Sequence, residues 1–315
     1  MPKVNPVRRR WGDSVFRGLT LLAALGLVAL ILVILGELIG GSKMALERFG
    51  FWNFVTSSRW DPVHGYFGSL PLVYGTVVSS LIALLIAVPL SLGIAVYLAE
   101  LAPHWVRTPV SFLVELLAAI PSVVYGLWGI FVLVPLVRTI LEPLLQGLLG
   151  WLPFFAGNYY GFGMLAAGII LAIMIIPTIA AVSREVLLAV PDSQREAMLA
   201  LGATRWETIK LAVIPYGRSG ILGAIILGLG RAIGETMAVT MVIGNRPQIS
   251  PSVFELSQTI ASIIANEFSE AFDGLHLSAL ILAGLVLFIV TLLLNIIARL
   301  LVWRVARVPE GVTRE

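Results

Sequence analysis

Six stretches of the chain, about residues 18–38, 72–98, 110–137, 161–182, 221–243 and 277–303, are strongly apolar and each is about twenty residues or longer. At about 1.5 Å of rise per residue, such a run covers the roughly 30 Å hydrocarbon core of a bilayer. Lipid offers no partner to backbone N–H and C=O groups, and a helix satisfies them within one continuous run. The runs therefore predict an all-α, polytopic membrane bundle of six transmembrane helices. Composition agrees, with 58% of the 315 residues hydrophobic and 12% charged; a soluble domain carries about twice that charged share. Cysteine is absent, which excludes disulfides and thiol chemistry. The net charge of +3 is spread between the runs, a topological pattern that fits a lipid bilayer and not nucleic acid. No small-residue cleavage site follows the first run, so it reads as a retained span and not as a signal peptide.

Basic residues orient the bundle. With the amino terminus in the cytoplasm, 15 of the 21 Lys and Arg fall on the cytoplasmic side, 5 fall outside and Arg231 lies within a run. Both tails are thus expected in the cytoplasm: 1–17, with Arg8, Arg9 and Arg10, and 304–315, with Arg304, Arg307 and Arg314. Residues 39–70 form an extracytoplasmic loop. Residues 138–160 are apolar in part, but Glu142, Pro143, Gln146, Gly147, Gly150 and Pro153 interrupt them. They read as a loop with an interfacial helix, because a seventh span there would spoil the charge split.

The polar interruption at 184–219, between the fourth and fifth runs, has structure of its own. Ser193 to Glu196 and Thr204 to Glu207 are both S/T-x-x-E capping boxes, each able to start a short helix. Gly202 falls where the first helix needs a left-handed residue to stop, and Pro215 is expected to end the second. The first helix offers Ala197, Met198 and Leu201 on one face; the second offers Trp206, Ile209 and Val213. Such a knob either lies on the membrane surface or docks another protein.

Nothing in the chain handles nucleotide by itself: the lysines are Lys3, Lys43 and Lys210, none follows a glycine, and a P-loop needs Gly-Lys. Energy for transport would come from a partner. No enzyme activity, cofactor or metal site is expected, since His64, His104 and His276 fall in separate loops without carboxylates at ligand spacing. In the fifth run, Gly230 and Gly234 form G-x-x-x-G, which admits a close helix, and Arg231 and Glu235 stand at i, i+4. Arg231 is about 16 Å from the cytoplasmic end, near mid-membrane, where an arginine costs roughly 2.5–3.5 kcal/mol. The two are either a self-neutralising packing pair or a charged lining for an anion. Glu115, about 9 Å inside the third run, either approaches Arg231 or reaches back to the interface.

Glu196-Ala197, Gly202 and Pro215 stand at the spacing of the cytoplasmic EAA motif of ABC importer membrane subunits, with Met198, Ala212 and Ile214 as conservative departures. The resemblance narrows over Arg17-Gly18-Leu19-Thr20, Trp60-Asp61-Pro62-Val63, 67–76, Pro89-Leu90-Ser91-Leu92-Gly93 and 231–238, in order and over nearly the whole chain. The sequence resembles the PstC-type phosphate permease subunits. That resemblance implies the MetI-like ABC importer permease fold over about 70–303, with the first span as an extra helix, and a multi-pass place in a bacterial or archaeal cytoplasmic membrane. It implies a PstA-type second permease, two PstB-type ATP-binding subunits and a PstS-type extracytoplasmic phosphate-binding protein as partners. It implies coupling to the ATPase through Glu196, Ala197, Gly202 and Pro215, and phosphate passage past Arg231 and Glu235. A permease for molybdate or sulfate would carry the same knob. An ion-coupled secondary transporter would explain the spans but not the EAA-like loop.

Overall fold

Within residues 11–306, which the computed structural model describes, the long apolar runs form helix, and the sole extended pairing is a bridge between Asp61 and Tyr66. The basic clusters of the tails, Arg8 to Arg10 and Arg307 with Arg314, lie outside the described residues. Helix α1 (Trp11–Gly41) is apolar on every side and meets the bundle only near its far end, through Leu35 and Leu38. A helix with no polar face and no buried face is one that lipid surrounds. After it come α2 (Lys43–Phe49), α3 (Phe51–Thr56) and a turn. Phe54, Trp60 and Phe67 close on one another edge to face and bury themselves against Leu72 and Leu280.

The remaining long helices are α4 (Leu70–Leu101), α6 (Ser122–Leu149), α7 (Met164–Leu188), α9 (Arg205–Gly234) and α12 (Gly274–Ala306). With α1 they make six helices long and apolar enough to cross a membrane. Helix α7 is the hub, with 67% of its apolar window buried against a third or less in the others. Ala83 and Ala87 of α4 share one buried cluster with Ala166, Ala167 and Ile170 of α7, and Gly168 of α7 lies against Ile82; small side chains let two backbones approach where burial from water gives no drive.

The third span lies later than 110–137. Residues 104–118 form a separate helix, α5 (His104–Ala118), which stops before Pro121, and α6 continues through 138–149, where a loop with an interfacial helix was the expectation. The apparent breakers are each accommodated. Glu142 is 1% exposed, and its carboxylate accepts the Gly161 N–H at 3.1 Å. Pro135 and Pro143 each follow a π turn, at Gly129–Leu133 and Val137–Leu141. A π turn shifts the hydrogen-bond register, so that a ring nitrogen with no hydrogen breaks no further bond.

The fifth span differs in the same way. Helix α9 starts inside the polar interruption and runs through Pro215, again just after a π turn, Ile209–Val213. Pro215 therefore does not end the second short helix. The span then breaks at Glu235 and Thr236 before α10 (Met237–Val242), where one helix to 243 was expected. An irregular segment, 244–259, is pinned to the start of α7 by Met164 N–H to Glu255 C=O and Leu165 N–H to Val253 C=O, and leads into α11 (Ile260–Glu267).

Candidate translocation and docking sites

The knob is built as two helices about one glycine. Helix α8 (Asp192–Ala200) ends at Leu201, and Gly202 takes φ +83° with no atom near its missing side chain. The conformation, and not crowding, is what requires glycine there. Thr204 then starts α9 with a complete capping box: its hydroxyl accepts the Glu207 N–H and the Glu207 carboxylate accepts the Thr204 N–H at 2.7 Å. The box expected at Ser193 does not form, because Pro191 occupies the cap and α8 opens at Asp192. Val213 packs inward with Ala95, Ala99, Leu187 and Val190, and Ile209 is buried beside it, which seats the knob on the ends of α4 and α7. Glu196, Ala197, Leu201 and Trp206 stay exposed on the outside.

Arg195 locks that seat. Its guanidinium meets Glu100 at 2.7 Å, donates to Leu187 C=O at 2.9 Å and to Val190 C=O, and touches Asp192. It thus ties α8 to the end of α4 while filling the open carbonyls that end α7. Neighbouring Arg184 bonds Ser111 of α5 and Glu185, with Glu115 3.9 Å away. Glu115 is therefore an exposed residue of α5 beside Arg184 and takes no part near Arg231. The sequence reading passed over Arg195 and Arg184, since their partners are close only in space.

The second site lies where two spans break. Arg231 is half-buried near the end of α9 and donates to the Thr178 hydroxyl at 3.0 Å. Thr178 is about 21 Å along α7 from Met164, which puts the guanidinium near mid-depth. Glu235 is not on the same helical face, because the helix stops at Gly234 and Glu235 is extended (ψ 127°). Its carboxylate instead accepts the Ala238 N–H at 3.3 Å, at the start of α10, and no Arg231–Glu235 ion pair occurs among the described residues. Pro121 offers no N–H to Leu117 C=O, and the Tyr125 hydroxyl donates to that carbonyl at 2.8 Å. Gly126 lets α10 approach, Met241 and Ala238 lying against it. Gly223 and Gly230 of α9 open onto a groove shared with Arg231 and Asn295.

Two histidines set aside in sequence also have carboxylate partners. His276 is 2.9 Å from Glu267, which also accepts from the Trp60 indole at 3.0 Å, and His64 meets Asp61. The first clasps the end of α11 to the start of α12 and the turn after α3, the second lies within that turn, and no cluster of three or more potential metal ligands occurs among the described residues.

A bundle of six spans, broken by polar groups at mid-depth and carrying a glycine-hinged helical knob at one end, is the membrane subunit of a transporter. Residues 87–307 match the family of binding-protein-dependent transport system inner membrane components. Phosphate transport system permease protein PstC of Haemophilus influenzae is 47% identical over 93% of this chain and 93% of its own, and that of Xylella fastidiosa is 49% identical over 93% and 90%. A bacterial alginate ABC transporter structure aligns over 95% of this chain and 100% of its own with TM-score 0.63 at 18% identity. An inward-facing MetNI methionine ABC transporter structure aligns over 76% and 95% with TM-score 0.53 at 19% identity. The chain belongs to the binding-protein-dependent inner membrane component family and, within it, to the PstC-type permeases.

Proposed function

We propose that this chain is the phosphate-conducting half of an ATP-driven importer, working by alternating access. The names of the 41–49% identical relatives support phosphate over molybdate or sulfate. The observation that carries the pathway is Arg231: a guanidinium near mid-depth, bonded to a neutral hydroxyl and not to Glu235, keeps donors and charge for an oxyanion. A packing pair would have brought the two charges together. Glu235, at the same helix break, fixes the start of α10 and opposes an anion lingering there.

The exposed face of Glu196, Ala197, Leu201 and Trp206 is the surface offered to an ATPase, and Gly202 sets its shape. Pro215 acts within α9 and not as its end. Partners are a PstA-type permease, two PstB-type ATPases and a PstS-type phosphate-binding protein, with ATP hydrolysed in the partners. Both termini and the knob are cytoplasmic, as the basic residues require.

The test is uptake of labelled phosphate by the assembled complex in proteoliposomes. R231Q is expected to abolish uptake with assembly intact, and R231K to restore little, since a point charge lacks the planar fork. Uptake near the wild-type rate in a variant with both Arg231 and Glu235 made apolar would overturn the pathway. Competition by molybdate or sulfate at phosphate's own concentration would change the anion and leave the pathway standing.

A further inference from the structure

We infer that Asn295 and Arg299 of α12 continue the anion's route from Arg231 to the cytoplasmic surface. The inference rests on the pathway reading above and extends it to residues that reading does not use. Two open cavities lie along the seam of α9 and α12. One is lined by Thr178, Arg231 and Asn295, the other by Asn295 and Arg299, and Gly223 and Ile226 belong to both. They form one groove with Arg231 at one end and Arg299 at the other.

The walls suit a hydrated anion. From Leu277 to Val302, helix α12 is apolar except for Ser278, Thr291, Asn295 and Arg299, and the last three fall at i, i+4 and i+8, on one face. Leu292, Ile296 and Val302 line the second cavity beside them, so Asn295 and Arg299 are its polar groups, while Leu293, Ile297 and Leu300 face away from it. Polar residues within a span mark a path or a partner. Asn295 donates one amide hydrogen to Thr291 C=O at 2.8 Å, and its second remains for a passing oxygen. Arg299 has no hydrogen bond or ion pair among the described residues. Opposite them, Gly223 and Gly230 leave open space on α9, with Ile226 and Leu227 as its apolar wall between them. Successive donors about one helical turn apart let an anion be handed along without a deep trap, as conduction requires.

The experiment is phosphate uptake by the complete reconstituted transporter, with the amount of assembled complex measured beside it. R299Q is expected to lower the maximal rate at least fivefold and R299E at least twentyfold, while R299K stays within threefold of wild type. N295L is expected to lower it at least fivefold. The phosphate concentration at half-maximal rate stays put, because capture precedes exit. Wild-type rates in N295L and R299E, with R231Q inactive, would overturn this exit route and leave the pathway standing. Wild-type rates in R231Q would overturn the pathway itself. Where R299E does not assemble, N295C decides: its thiol is modified after assembly by an anionic methanethiosulfonate. Loss of uptake on modification, slowed by inorganic phosphate, supports the route, and full uptake by the modified complex overturns it.

Discussion

A guanidinium at mid-depth needs acceptors, and Arg231 takes one from Thr178 at 3.0 Å while Glu235 holds the Ala238 N–H. Replacing Thr178 by valine keeps the shape and removes the acceptor. Losing such a bond costs about 1–2 kcal/mol, so T178V is expected to reduce phosphate uptake five- to thirtyfold, with T178S close to wild type; equal rates for both would separate Thr178 from Arg231. Gly202 is a different case, with open space around it and φ +83°. A β-branched residue there costs about 1–2 kcal/mol. G202V is expected to lose ATPase co-purification and G202N to retain it, because asparagine tolerates the left-handed region. Asp61 offers a pH test. The Arg59 guanidinium, helped by His64, holds its carboxyl below the usual range. A depressed folded value stabilises the 61–66 turn above the unfolded value of about 4 and is lost as pH falls through the lower one. Hydrogen exchange at Tyr66 should therefore accelerate only below about pH 4, and acceleration near pH 6 would implicate His64 instead.

At the scale of elements, four of the prolines follow one rule, whereas Pro89, Pro109 and Pro177 lie inside regular helix. The four π turns among the described residues, at 97–101, 129–133, 137–141 and 209–213, are followed two residues later by Pro103, Pro135, Pro143 and Pro215. In three of them the helix continues, because the altered register already leaves out the bond that proline cannot make. P215A is therefore expected to keep α9 continuous and uptake within about threefold of wild type, against a larger loss in G202V. The knob's seat depends more on Arg195. Removing one partner of a partly buried, multiply bonded ion pair costs about 3 kcal/mol, so R195A and E100Q are each expected to weaken ATPase binding severely. A pull-down against the purified ATPase measures this, and normal retention by R195A would show that α8 holds its place without it.

Across the whole molecule, topology is the firmest consequence of the charge split. Ser252 is 5% exposed, so it is a poor reporter of the outer side, while Val63 is 90% exposed and Ser193 lies on the open surface of the knob. In a chain without cysteine, V63C is expected to react with an impermeant thiol reagent in intact cells and S193C only after the membrane is opened; the reverse order would invert the bundle. The hub position of α7 follows from size. Alanines on α4 and α7 admit close backbones, whereas α1, apolar and buried nowhere in its long apolar stretch, meets the first part of α12 through Leu38 and Gly41.

The apolar runs by themselves determined six spans and an all-α bundle, because lipid leaves the backbone no other arrangement. Spacing alone placed Gly202 at the left-handed turn and Thr204 at a complete cap, since both effects act within a few residues. What the tertiary structure decided was wherever a disfavoured group found a distant partner. Glu142 looked like the end of a span until Gly161 came to its carboxylate. Arg231 and Glu235 looked like a pair until the helix stopped between them and Thr178 took the guanidinium. Thr178 and Glu100 are unremarkable in sequence, and gain their roles because another helix brings an arginine within reach. Local hydrogen-bond chemistry is written along the chain, while the pairing of charges across a low-dielectric interior depends on which helices lie side by side.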